Sequence, residues 1–132
     1  MDLKKVCLAL LASKSGVDLN AAADTETVLY TVPTGKKCII DKVVLRDPSA
    51  SAASAVITLG KSGGSCNEFL GDQTLSGLSA TTKAVILQII QNATAVAQTV
   101  LAAGESFACE ITTAAGSACT VTMDVFGYLI DA

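Results

Sequence analysis

Cysteines, carboxylates and a glycine-rich loop are the groups in this chain that could do chemistry. The cysteines lie at least ten residues apart, so the paired CxxC spacing of zinc ribbons and redox motifs is missing. Their neighbours are mostly apolar, which favours small buried thiols; a disulfide such as Cys66 to Cys119 is the alternative. The five are Cys7, Cys38, Cys66, Cys109 and Cys119.

Histidine is absent, which removes the commonest general base, the usual zinc ligand and every Ser-His or Cys-His pair. Asp41, Asp47, Glu68 and Asp72 lack the spacing of a calcium loop and are better explained as solvated strand or turn positions. We therefore predict that the chain is not an enzyme and has no catalytic residue, cofactor or metal ligand. A hydrolase that uses only Asp and Glu is the remaining enzymatic alternative.

The loop Lys61-Ser62-Gly63-Gly64-Ser65 is the candidate ligand loop. It lacks the GxxxxGK[ST] spacing and the following helix of a phosphate cradle. The chain also has no Trp, which disfavours sugar binding by stacking. Any function of this loop would therefore be recognition of a surface or receptor rather than catalysis.

The composition points to a protein that is buried by partners. Hydrophobic residues make up 51% of the 132 positions and charged residues 16%, against a typical charged share of about 25%. Other subunits would cover such a thinly charged surface; a monomer with an Ala- and Thr-rich surface is the alternative.

The charge pattern disfavours nucleic acid and membranes as partners. The net charge is −3, and the basic residues form no cluster larger than Lys4-Lys5 and Lys36-Lys37. No apolar run reaches the roughly 18 residues of a membrane span. The apolar run over 6–12 is at the short limit for a secretory signal, and we expect it to be retained.

Alternation with period two dominates the pattern and predicts about eight strands. They are expected at 27–32, 36–46, 53–59, 66–70, 83–91, 94–101, 106–113 and 119–130. Turn residues separate them, as in Pro33-Thr34-Gly35. This spacing predicts an all-β fold, a single antiparallel β-sandwich domain over 1–132 that is jelly-roll-like. Residues 1–15 would form an N-terminal arm or edge strand and a contact segment; within them 3–12 could be strand or short helix, and we favour strand.

The last strand changes character along its length. From Thr120 to Asp124 one face is polar, whereas from Phe126 to Ile130 both faces are apolar. The second apolar face must be covered by the N-terminal segment or by a neighbouring subunit. The candidate subunit or particle interface is therefore Val6, Leu8, Leu10, Phe126, Tyr128 and Ile130.

Three segments carry a resemblance to a known class of proteins. They are SGVDLNAAADTETVLYTVPTGKKCIIDKVVLRDPSAS, with its Tyr-x-Val-Pro-x-Gly-Lys turn, AAGESFACEI and TVTMDVFGYLI. In this order they resemble small β-sandwich or jelly-roll virion structural proteins of tailed bacteriophages, of the head-decoration or tail-fibre type. The likeness runs from Ser15 onward.

The resemblance implies a protein made in the host bacterial cytoplasm and located in the virion. It implies a homo-oligomer, a trimer above all, that attaches to the major capsid protein or a tail protein and stabilises or decorates the particle. The alternative is a receptor- or glycan-binding module at a tail-fibre tip, with the Lys61–Ser65 loop as its contact.

Overall fold

Nine strands form two antiparallel sheets in the computed structural model, which describes residues 7–89 and 100–132. The strands are β1 Ala9–Asp18, β2 Glu26–Thr31, β3 Lys36–Arg46, β4 Val56–Lys61, β5 Leu70–Thr74, β6 Val85–Gln88, β7 Val100–Leu101, β8 Ser106–Thr113 and β9 Thr120–Asp131. Within the described ranges there is no helix, and so none that is long and apolar enough to cross a membrane.

The strands follow a jelly-roll order. Sheet 1 runs β1-β9-β3-β6, with β7 also paired to β3, and sheet 2 runs β2-β8-β4-β5. Along the chain the strands alternate between the sheets, apart from the neighbours β4 and β5 in sheet 2 and β6 and β7 in sheet 1. Each sheet can thus present one face to a shared core. The predicted all-β, jelly-roll-like sandwich is confirmed.

One apolar core fills the space between the sheets. Alternate residues of each strand point into it, as the period of two requires. The rings of Phe69 and Phe107 lie at its centre, with centroids 5.5 Å apart. The other large side chains buried there are Leu19, Leu45, Ile57, Leu59, Leu75, Leu78, Leu101, Met123, Val32 and Val43.

Several predicted boundaries differ from the observed ones. The strands expected at 36–46 and 106–113 have those bounds, whereas the one expected at 66–70 is at Leu70–Thr74. Residues 62–69 instead form a loop that buries Cys66 against sheet 2 and ends with Phe69 in the core. The apolar residues of that segment predict a strand, because the periodicity of the sequence alone cannot distinguish a strand from a packed loop.

The N-terminal segment forms a strand from Ala9 onward. β1 lies at the edge of sheet 1 and extends to Asp18, three residues beyond the predicted arm or edge strand over 1–15. Ser13 and Lys14 pair with β9 there and stay exposed, which is why they lack an apolar signature. Most of the strand expected at 94–101 lies outside the described residues; only Val100–Leu101 is seen.

Candidate functional site

The register of sheet 1 brings the N-terminal strand beside the aromatic end of β9. Leu10 pairs with Phe126, so the two side chains share one face of the sheet. Val121, Met123 and Val125 point into the core on the opposite face. Phe126 therefore faces outward, away from the core.

Further apolar side chains continue this outward face. Tyr128 pairs with Ile39 on β3, and Ile130 follows two residues along β9; all three are half-buried. Leu10 is 55% exposed, an unusual level for a leucine beside aromatic residues. We call Leu10, Ile39, Phe126, Tyr128 and Ile130 the outer patch.

The interface residues predicted from the sequence fall largely on this patch. Leu8, just before β1, is 40% exposed, and Val6 lies outside the described residues. In the described part of the chain, β1 lies beside β9 rather than over it. The N-terminal strand therefore widens the apolar face instead of covering it.

Charged groups at the border of the outer patch contact either each other or its aromatic edge. The Lys42 ammonium lies 5.6 Å from the centroid of the Phe126 ring, within the range of a cation–π contact. Asp124 accepts hydrogen bonds from Arg46 Nε at 2.7 Å and from Ser13 Oγ at 2.6 Å. The Arg46 hydrogen bond, with that of Ser13, lowers the pKa of Asp124 below its usual value. Asp124 and Arg46 therefore neutralise each other at the polar end of this face, whereas the other end presents the apolar side chains of the outer patch.

The candidate ligand loop lies on the other side of the sandwich. A Cβ on Gly60 of β4 would overlap atoms of Cys66 and Glu68, so the loop is pressed against the outer face of sheet 2. Ser62 Oγ donates to one oxygen of Glu26, and the Gly63 N–H donates to the other at 3.3 Å.

The first residue of this loop is held as well. The Lys61 N–H donates to Glu68 Oε2 at 3.0 Å, and the Lys61 ammonium forms an ion pair with Glu105. Several hydrogen-bonding groups of the loop therefore already have partners within the chain. Gly64 and Ser65 are exposed at its tip.

No disulfide forms among the five cysteines. Cys38, Cys66, Cys109 and Cys119 are buried thiols, as the sequence favoured, and Cys7 is exposed. The Cys66 thiol donates to the Ala108 carbonyl at 3.4 Å. Burial raises the pKa of Cys66 to about 12, with a smaller contribution from Glu26.

Carboxylates gather at a place that the sequence did not single out. Of the four considered as calcium ligands, Asp47 pairs with Arg46 and Asp72 accepts from Thr112. Instead Glu26 and Glu110, which face each other across β2 and β8, lie with the Cys66 sulfur within 4.8 Å of one another. Only the strand register joins these distant positions, so no local motif could have revealed them.

Three solved structures share the fold of this chain. A chain of the cyanophage Pam1 capsid asymmetric unit matches with a TM-score of 0.55 and 16% identity, covering 94% of this chain and 84% of its own length. A chain from the capsid of Ralstonia phage GP4 matches with a TM-score of 0.60 and 13% identity. The match covers 96% of this chain and 83% of that one. A chain from the acid-stable capsid of Helicobacter pylori bacteriophage KHP30 matches with a TM-score of 0.52 and 14% identity. The match covers 96% of this chain and 98% of that one.

Comparison by sequence adds nothing to this. No protein-family model matches the chain, and no curated protein does. At these identities the likeness concerns the fold, and it extends over almost the whole chain. The predicted resemblance to β-sandwich virion proteins is therefore confirmed at the level of the fold, which this chain shares with chains of three phage capsids.

Proposed function

We propose that this chain is a non-enzymatic structural protein of a bacteriophage virion that decorates or stabilises the capsid. It would be made in the host bacterial cytoplasm, assemble as a homotrimer and attach to the major capsid protein. The shared fold with capsid chains supports the setting. The outer patch supports the assembly, and it is the observation on which the proposal depends.

The occupant that we assign to the outer patch is a second copy of this chain. Leu10 and Phe126 lie together on one face, and Leu10 is more than half exposed. Exposed apolar surface of this kind is costly in water, and contact with neighbouring copies around a threefold axis removes it. At the border Asp124 and Arg46 neutralise each other, and Lys42 lies against the Phe126 ring.

Mass in solution tests the assembly. Sedimentation at micromolar concentration should give three times the 13.3 kDa of one chain. Leu10→Asp places a charge in the outer patch and should yield monomers. Val28→Asp is the matched control, because Val28 is 42% exposed and lies on sheet 2, away from the patch. A monomeric wild-type chain, or equal effects of the two substitutions, would contradict the assignment.

Purified phage particles test whether the chain is part of the virion. Quantitative mass spectrometry should find peptides of this chain in particles at a copy number comparable to that of the major capsid protein. A copy number of only a few per particle would indicate a tail position instead. Absence from particles would contradict a virion role.

The bonds of the Lys61–Ser65 loop favour decoration over the receptor- or glycan-binding alternative. Ser62 and Gly63 both donate to Glu26, and Lys61 is paired with Glu105. A glycan would have to compete with these contacts for its hydrogen bonds. Replacement of the loop should therefore leave any attachment to host cells unchanged.

A further inference from the structure

A group of potential metal ligands lies beneath the loop on sheet 2. Glu26 on β2 pairs with Glu110 on β8, which puts both carboxylates on the outer face of the sheet. The loop returns over this face and adds the Cys66 sulfur, so that one ligand atom from each residue lies within 4.8 Å of the others. We call Glu26, Cys66 and Glu110 the Glu26 cluster.

The Thr58 hydroxyl supplies a second, independent observation. Ile57 and Leu59 point into the core, so Thr58 points to the outer face, where it pairs directly with Glu110. The loop nevertheless leaves Thr58 only 6% exposed, and its Oγ1 has no hydrogen-bond partner among the described residues. Since a buried hydroxyl without a partner costs free energy, this atom points to a polar ligand beside Glu110.

The charge balance of the cluster also favours a cation. No described lysine or arginine forms an ion pair with Glu26 or Glu110. Burial, together with the neighbouring carboxylates of Asp24 and Glu26, raises the pKa of Glu110. Apart from the neutral donors Ser62 and Gly63 on Glu26, these carboxylates are thus held together without a cation among the described residues.

We propose that the Glu26 cluster binds one zinc ion through the carboxylates of Glu26 and Glu110 and the thiolate of Cys66, with a metal-bound water hydrogen-bonded to Thr58 Oγ1. A thiolate with carboxylates suits zinc and not calcium or magnesium, which take oxygen ligands. Tetrahedral zinc places its ligand atoms about 3.5 Å apart, so small side-chain movements suffice. The site differs from the prediction of no metal ligand because the register and the folded-back loop create it.

Binding must release a proton, because the thiol is protonated beforehand. The Cys66 proton passes to solvent, the sulfur–zinc bond forms, and the hydrogen bond to Ala108 is lost. Burial opposes the ionisation of Cys66, and so do the nearby titratable groups of Glu26, Cys109, Glu110 and Glu68. Zinc affinity should therefore rise about tenfold per pH unit, as long as binding releases the proton of the thiol.

Calorimetric titration of the untagged, reduced protein with zinc chloride tests the site. The wild type should bind one ion per chain with a dissociation constant of about 1 µM or tighter. Cys66→Ser keeps a donor for Ala108 and removes the thiolate, and should weaken binding about 100-fold or more. Cys7→Ser, at the exposed cysteine, is the matched control and should bind as the wild type does.

Two further measurements separate a built site from a merely acidic surface. Cobalt(II) should give a sulfur-to-metal charge-transfer band that Cys66→Ser abolishes. If that variant does not fold, Glu110→Gln against Asp72→Asn gives the same comparison for a carboxylate. Equal zinc affinity of Cys66→Ser and Cys7→Ser, equal affinity for calcium and zinc, or no binding near neutral pH would each overturn the proposal. None of these outcomes depends on whether the chain belongs to a virion.

Discussion

At the scale of single residues, β8 shows how one strand serves two environments. Phe107 points into the core against Phe69, while Glu110 points outward toward Glu26. The alternation over 106–113 predicted that Phe107, Cys109 and Ile111 share the buried face, but Ala108 on the opposite face is buried as well. The alternation could not predict that Glu110 stands opposite Glu26, because register between distant segments depends on the path of the whole chain.

Removal of the Phe107 ring should be among the most damaging single changes. The side chain is fully buried, so Phe107→Ala should cost about 3–5 kcal/mol of unfolding free energy through the cavity that it leaves. Lys61→Ala removes only a partly exposed ion pair with Glu105 and should cost about 1 kcal/mol or less. Urea unfolding at one protein concentration measures both. Small and equal costs would mean that Phe107 does not face the core.

Asp124 should contribute stability that is lost in acid. The hydrogen bond from Arg46 lowers its folded pKa, so the unfolded chain takes up the proton first as the pH falls. The contribution is complete above the unfolded value near 4 and disappears as the pH drops through the lower folded value. Asp124→Asn should remove about 1 kcal/mol at pH 7 and nothing at pH 2, as measured by urea unfolding at each pH. A pH-independent difference would contradict this.

At the scale of strands, β9 organises sheet 1 because it lies between β1 and β3. Its change from polar to aromatic was visible in the sequence, and so was the need to cover its second face. The sequence left open whether the N-terminal segment would do this. Ser13, Lys14 and Val17 of β1 pair along the edge of β9, so this edge strand extends the face.

Close approach of strands disfavours any side chain at position 127. A Cβ there would overlap the carbonyl oxygen of Ile39 and press on Leu11, and neither β3 nor β1 can move away without loss of pairing. Gly127→Ala should cost about 1–3 kcal/mol. Gly71→Ala in β5 is the control, because no atom lies near its added methyl group, and it should be nearly neutral. Thermal unfolding of both variants tests this prediction. Equal unfolding midpoints for the two would contradict the close approach of the strands at Gly127.

The edge of sheet 1 opposite β1 was the hardest element to predict. The run 83–91 indicated one strand; among its described residues, 83–89, Val85–Gln88 pairs with the second half of β3. Val100–Leu101 pairs with the first half of β3, so two short strands share one edge. Sequence periodicity cannot show that two segments continue along the same neighbour.

At the scale of the whole molecule, the two sheets present different outer faces. Sheet 1 carries the outer patch, and sheet 2 carries the folded-back loop over the Glu26 cluster. The sequence predicted the class of fold and most of the apolar face, since both follow from patterns within single strands. The Glu26 cluster was not predictable, because it combines β2, β8 and a loop.

Assembly should link stability to concentration. If copies associate through the outer patch, the thermal midpoint of the wild type should rise as the protein concentration is raised, because association removes folded monomers from the unfolding equilibrium. The midpoint of Leu10→Asp should stay constant, whereas that of Val28→Asp should rise as in the wild type. Scanning calorimetry over a hundredfold range of concentration measures this. A constant midpoint in the wild type would contradict self-association.

The pairing of the first described strand with the last has a consequence for biosynthesis. β1 is synthesised well before its partner β9. Leu10 and Phe126 therefore come together only after β9 has been translated. A chain that stops before β9 carries no finished outer patch, so it could not take a place in an assembly that uses this patch.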